Sequence, residues 1–285
     1  MTDAHCHVSG GDPSVREFLI GREFVGLHPW DVKPEGIVNH GLPRINTDCG
    51  HASQSVPIRV HPWLSKIEGR LREQLAANPR LGVGEIGLDR LKSRDISPQM
   101  RAVFEAQLRV ALELGRPVVL HGAKCWGQVV KTLQTSQTLQ TSQTLQTFQT
   151  FQTFQTSQTF QTFQTSQTFQ TAQTPQTFLF HGFSRSDGLL PDIVALNGYV
   201  SVGPAVLNDH AVNYRALVKK IPLDRLLVET DRDCDPASLL NPLTGAPLSV
   251  RDVLAKTAEL RGLSPAELEA ITDANAMRFW GVAQT

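Results

Sequence analysis

The segment LGVGEIGLD (residues 81–89), the stretch SPQMRAVFEAQLRVALELG (97–115) and the run PVVLH (117–121) together decide the fold. The first is an apolar, glycine-containing run of strand length. In the second, Ser97 is an N-cap and Pro98 fills the first helical position. Val103, Phe104, Leu108, Ala111 and Leu112 share one face of that helix, and Gly115 ends it. The third run returns as a strand, and a strand, a helix and a strand in that order call for parallel pairing. The same rhythm extends outward in both directions. Upstream, Ser65-Lys66-Ile67-Glu68 forms a capping box for a helix with Ile67, Leu71 and Leu75 on one side and Pro79 beyond its end. Downstream, FLFH (178–181), GYVSVG (198–203) and RLLVETD (225–231) have strand character, and Ser264-Pro265-Ala266-Glu267 caps a further helix. The 285 residues accommodate one α/β fold, a (β/α)8 barrel of about 250 residues.

A low-complexity tract interrupts this pattern. From Thr132 to Thr177 successive x-Gln-Thr triplets follow one another without a charge, x being Leu, Ser, Phe, Ala or Pro. A period of three drifts about 60° per triplet around a helix and alternates faces in a strand, so neither element gains a lasting apolar side. The sequence therefore predicts a first part of the barrel over 1–131, a disordered insertion over 132–177 between the fifth and sixth strands, and a second part over 178–285. The tract is either a flexible, aggregation-prone expansion or a segment that binds a partner. It begins in or after the helix that follows His121, and that helix leads away from the catalytic face of a barrel, so the insertion is expected to spare the chemistry.

Lys+Arg and Asp+Glu are 27 each, which excludes a protein that coats duplex DNA through a basic excess. The cysteines Cys6, Cys49, Cys125 and Cys234 are widely spaced, as expected of reduced thiols. The start, MTDAHCHVSG, has no basic and apolar leader, and no window approaches the roughly 18 apolar residues of a membrane span. The expectation is a cytoplasmic protein, monomeric or weakly oligomeric, with no membrane partner.

Chemistry concentrates at strand ends. Asp3, His5 and His7 alternate along a strand, which turns the two imidazoles to one side and lets them meet one cation. Cys6 points the other way and is assigned to packing. Glu85, His121, His181 and Asp231 each stand near the end of a separate apolar run. A polar residue there is costly if merely buried, but in a barrel the C-terminal strand ends form the active-site floor. A metal site built from these residues follows.

At these residues the chain resembles the TatD-type metal-dependent deoxyribonucleases, a family of amidohydrolase-like barrels. The resemblance rests on D-A-H-C-H at the start, G-E-I-G-L-D around Glu85, His121 after PVVL, H-G-F-S at His181 to Ser184, E-T-D at Glu229 to Asp231, and N-A-x-R-F at Asn275 to Phe279. It implies that His5, His7, Glu85, His121, His181 and Asp231 bind one or two divalent ions (Mg, Mn or Zn), and that the substrate is DNA. On this reading Glu85 bridges an ion on the His5/His7 side and an ion on the His121/His181 side, while Asp231 orients or deprotonates the attacking water. Glu85 and Asp231 are thus the catalytic candidates. The family's His-Pro-Trp segment occurs twice: spacing to Glu85 favours His61, and the flanking glycine favours His28. Many members have an arginine two residues past the histidine, where this chain reads Gly122-Ala123-Lys124 and Lys124 is the candidate replacement, and Arg185 stands where a small residue is common. These four are the candidate phosphate contacts. A neutral chain needs few cations to act on one strand end, so single-stranded DNA or strand ends are the expected partners.

Two rival readings remain. The same metal chemistry attacks the carbonyl of an amide, lactone or aminoacyl ester, and a non-catalytic protein acting through the Gln-Thr tract needs no metal site.

Overall fold

The computed structural model describes residues 1–7, 9–33, 36–37, 62–91, 94–138, 176–184, 186–233 and 240–281. Its framework is a set of parallel strands: β1 (Thr2–Cys6), β2 (Arg16–Leu19), β3 (Phe24–Val25), β6 (Gly82–Asp89), β7 (Val118–Ala123), β8 (Phe178–Phe180), β9 (Gly198–Val202) and β10 (Leu226–Val228). A two-residue antiparallel ribbon, β4 (Val32–Lys33) with β5 (Gly36–Ile37), lies between β3 and β6 in the chain. Six of the parallel strands pair in the order β10-β9-β8-β7-β6-β3, and β1 pairs with β2. The two sheets meet at both edges. Ile20 bridges Phe24 in parallel at one edge, while at the other the Asp231 N–H donates to the His5 carbonyl at 3.0 Å and the His7 N–H to the Arg232 carbonyl at 2.7 Å. The result is the expected (β/α)8-type ring.

Helices α1 (Pro62–Ala77), α2 (Pro98–Glu113), α3 (126–138), α4 (Leu190–Ala195), α5 (Val212–Lys220), α6 (Val250–Arg261) and α7 (Pro265–Trp280) accompany it. The Ser97 hydroxyl caps α2 by accepting the Met100 N–H, and Ser264 with Glu267 forms the anticipated capping box of α7. The capping box expected at Ser65 is a correction. The helix α1 starts three residues earlier, at Pro62, because a proline is already set for the first helical position and Trp63 and Leu64 pack on the core. The described connections from β1 to β2 and from β2 to β3 carry no helix, and both are shorter than the dozen or so residues a parallel crossover ordinarily takes.

The barrel interior is layered. Val119, Leu179 and Leu227 pack with Tyr199, Phe24 and Phe279 in one buried cluster. By strand alternation the residues two positions on, His121, His181 and Glu229, face the same way one layer higher. An apolar floor thus carries a polar mouth. Gly84 and Gly87 set its width: a Cβ on Gly84 would lie 2.7 Å from Val119 Cβ, and one on Gly87 2.0 Å from the His121 carbonyl oxygen. Their absent side chains let β6 lie against β7, so that Glu85 reaches His121.

The Gln-Thr tract starts inside a helix. Burial of Trp126, Val129, Val130 and Leu133 carries α3 into it, and the hydroxyls of Thr132, Thr135 and Thr138 each donate to the carbonyl four residues back. The expectation of disorder from Thr132 therefore fails for 132–138, where tertiary packing overrides the triplet period; 139–175 lie outside the described residues. At the far end the Thr177 hydroxyl donates to the Phe279 carbonyl at 2.7 Å. No helix among the described residues is long and apolar enough to cross a membrane.

Candidate metal centre

Glu85 is the hub of the polar layer. Its Oε1 lies 2.5 Å from His121 Nδ1, 2.5 Å from His181 Nε2 and 3.6 Å from His28 Nε2. The other oxygen, Oε2, lies 3.4 Å from His7 Nε2 and 3.6 Å from His5 Nε2. Asp231 completes that second side, its Oδ1 3.4 Å from His5 Nε2 and 3.9 Å from His7 Nε2. One carboxylate therefore separates two nests of donors. Potential ligand atoms within 4.8 Å of one another group as His5, His7 and Asp231, as His5, Glu85 and His181, and as His28, Glu85 and His121.

The electrostatics follow from this crowding. Burial opposes the charge on Glu85, yet the His181 charge and hydrogen bonds from His121, His181 and His28 hold its carboxyl well below the usual carboxylate range. Burial likewise works against charged His121 and His181. Asp89 and Glu85 nonetheless raise His121, and Glu85 and Asp231 raise His181 well above the ordinary histidine value. Against burial, Glu85 also raises His7, and the His181 charge lowers Asp231.

The donors fit a cation. His5 is fully buried, and among the described residues its ring nitrogens make no well-formed hydrogen bond, Asp231 Oδ1 standing 3.4 Å from Nε2. A buried polar atom left unpaired costs roughly 1–3 kcal/mol, and a cation that takes the lone pair removes that cost. Imidazoles with carboxylates suit Zn2+ or Mn2+ at least as well as Mg2+.

The structure brings together all six ligand candidates and adds His28, whose Nε2 is 3.3 Å from His121 Nδ1. His61 and Arg185 lie outside the described residues. Lys124 is exposed just past the end of β7, with a left-handed backbone (φ 57). Cys6 is buried with its thiol toward the Phe18 carbonyl, and burial pushes its ionisation up, in keeping with a packing role. Asp3 does not join the cluster. Its carboxylate accepts from the Thr230 N–H and hydroxyl at 3.0 and 2.6 Å and faces Arg232.

Two buried acids beside the site escaped the sequence reading. Asp89 Oδ2 is 2.8 Å from His121 Nε2. Glu229 accepts the Gly182 N–H at 2.8 Å and the Ser201 hydroxyl, with His181 Nδ1 3.8 Å away. Strand alternation was the signal that could have found them, since Asp89 lies four residues after Glu85 and Glu229 two before Asp231.

A family profile described as TatD related DNase matches residues 20–281. The 3'-5' ssDNA/RNA exonuclease TatD of Cronobacter sakazakii is 27% identical over 234 residues, covering 78% of this chain and 74% of that protein. The uncharacterized metal-dependent hydrolase YabD of Bacillus subtilis is 25% identical over 215 residues, covering 74% and 69%. Among solved structures, the TatD homologue YJJV of Escherichia coli aligns with a TM-score of 0.55 at 23% identity over 77% of this chain and 71% of that one. An uncharacterized amidohydrolase of Saccharomyces cerevisiae aligns with a TM-score of 0.54 at 18% identity over 93% and 80%. These two likenesses support the barrel fold.

Proposed function

The chain belongs to the TatD-related DNase family of metal-dependent hydrolases, and from that premise we propose that it cleaves phosphodiester bonds of DNA, working on single strands or strand ends. The observation that carries this reading is the division of Glu85 between two nests of donors. His5, His7 and Asp231 would hold one divalent ion, His121 and His181 a second, and Glu85 would serve both. Ions so placed lower the pKa of water from about 15.7 toward about 7 and stabilise charge on the attacking and leaving oxygens.

The remaining work falls to side chains. Asp231 is half-buried at the mouth, where its carboxylate can orient the attacking water and take its proton. His28 is suited to hold the phosphate. Its Nδ1 accepts the Trp30 backbone N–H at 3.1 Å, so the neutral ring keeps its proton on Nε2, the nitrogen turned toward the cluster. That N–H can donate to a phosphate oxygen. Lys124 at the rim adds a point charge, and Arg185 is a further candidate cation. The equal count of acidic and basic residues favours a substrate engaged at few phosphates.

The test is cleavage of single-stranded DNA labelled at its 5' end, with Mg2+ or Mn2+ and with a chelator. Metal-dependent shortening of the strand is expected. An intact label alongside metal-dependent turnover of a carbonyl ester would overturn the DNA assignment in favour of amidohydrolase-type chemistry.

A further inference from the structure

Two neighbouring imidazoles face the same side of Glu85 yet need opposite protonation. In the function proposed above, His121 must offer a lone pair to a cation, whereas His28 must offer a proton to the substrate. Their facing nitrogens, His121 Nδ1 and His28 Nε2, are only 3.3 Å apart. A neutral imidazole carries its single proton on whichever nitrogen its surroundings favour. For His121 the contest is close, because carboxylates stand at both ends: Glu85 Oε1 at 2.5 Å from Nδ1 and Asp89 Oδ2 at 2.8 Å from Nε2. If the proton went to Nδ1, the lone pair would point at Asp89 and away from the site.

We propose that Asp89 and Trp30 are positioning residues that settle this contest, directing a lone pair of His121 and a proton of His28 into the cluster. Asp89 ends β6, is almost fully buried, and has its Oδ1 fixed by the Leu91 N–H at 2.6 Å. Trp30 acts on both rings. It sits in the single helical turn Pro29–Asp31 directly after His28, where its backbone N–H occupies His28 Nδ1. Its side chain hydrogen-bonds Asp89, and its ring lies 4.8 Å from the His28 ring and 6.0 Å from that of His121. The carboxylate beyond a metal-binding histidine typically fixes both the tautomer and the ring orientation. Here a tryptophan from another strand's loop holds that carboxylate and, through its main chain, sets the tautomer of the adjacent histidine. The His-Pro-Trp turn and the Asp that closes β6 thus form one brace. The inference rests on the reading of His121 as a ligand.

The experiment uses the full chain labelled with 15N at histidine, loaded with Zn2+, and observed by long-range 1H–15N correlation, which distinguishes the two tautomers. Both His121 and His28 are expected to carry the proton on Nε2. Calorimetric titration with Zn2+ then compares wild type with Asp89→Asn and Trp30→Phe. Asp89→Asn keeps the side-chain shape but weakens the acceptor; one Zn2+ site should lose about 10- to 100-fold in affinity while the other is unchanged. Trp30→Phe, at a residue 44% exposed, tests the brace without disturbing the core; it should weaken the same site by a smaller factor and leave the His28 tautomer unaltered. A proton on His121 Nδ1, or two Zn2+ affinities unchanged in Asp89→Asn, overturns the brace alone. A wild type that takes up no Zn2+ overturns the metal reading and this inference with it. Expected tautomers in a protein that cleaves no DNA support the brace and count against the substrate.

Discussion

Asp231 and His5 are joined twice: the Asp231 N–H donates to the His5 carbonyl at 3.0 Å, and the Asp231 carboxylate lies 3.4 Å from His5 Nε2. The first bond helps close the barrel between β1 and the segment after β10, and the second places a carboxylate at the mouth. To make both, Asp231 adopts a left-handed backbone (φ 50), which asparagine tolerates and alanine does not. Asp231→Asn should therefore fold as wild type and lose about 10²- to 10⁴-fold in kcat. Asp231→Ala should lose the same activity and a further 1–2 kcal/mol or so of stability. Cleavage rates and urea midpoints separate the two effects, and an Asp231→Asn enzyme of normal rate would remove Asp231 from the chemistry.

Glu85 offers a sharper test of metal binding because both nests share it. An ion that binds only the folded protein stabilises it by about 2.7 kcal/mol at a hundred times its Kd. Mn2+ should raise the Tm of wild type in a concentration-dependent way, and a chelator should reverse the rise. Glu85→Gln, which keeps the shape but removes the shared charge, should show little rise and no cleavage. An equal rise in the variant would mean that Mn2+ binds elsewhere.

In the metal-free protein the same residues set an unusual pH dependence. Folded His7, His121 and His181 titrate above the ordinary value of 6.5, so their stabilisation is complete below that pH and fades as pH rises through the raised values. Glu85 and Asp231 titrate below 4.5 and 3.8, so theirs is complete above those values and is lost on acidification. Burial also lifts Asp3 to about 7, against the Thr230 hydrogen bonds and Arg232, which removes stability between 3.8 and 7. Metal-free protein should therefore be most resistant to urea in mildly acid solution and weaken toward pH 8. Mn2+ should reverse that slope, because binding displaces the protons on the imidazoles. Urea midpoints from pH 5 to 8, with and without Mn2+, decide it; parallel curves would contradict the assigned ligands.

The clustering of these side chains was readable because strand alternation and apolar runs ending in a polar residue are local patterns, visible in PVVLH, FLFH and LLVETD. The closure of the barrel was not. β2 and β3 are four and two residues long, and no helix among the described residues links them. Arg232 helps hold the seam between β1, β2 and the segment after β10, 2.7 Å from Glu17 and 3.5 Å from Asp3, a contact between residues more than 200 positions apart that no periodicity announces. Of the two His-Pro-Trp copies, His28 is placed beside His121, where Leu27 is tied to Gln107 of α2 through both its N–H and its carbonyl, while His61 lies outside the described residues.

The Gln-Thr tract gives the last prediction, because its ends are structural even though its composition is not. Leu133 is completely buried in α3, and Thr177 ties the start of β8 to the end of α7. Replacing 139–175 with a flexible linker of about ten residues should leave Tm and cleavage rate near those of wild type. Removing 132–177 as a block strips Leu133 from the core, which costs about 2 kcal/mol or more and should lower Tm by roughly 4 °C or more. The two deletions thus separate the helical portion of the tract from the remainder. If the shorter deletion folds and takes up Mn2+ as before but no longer cleaves DNA, residues 139–175 contribute to catalysis, and the expectation that the insertion spares the chemistry is wrong.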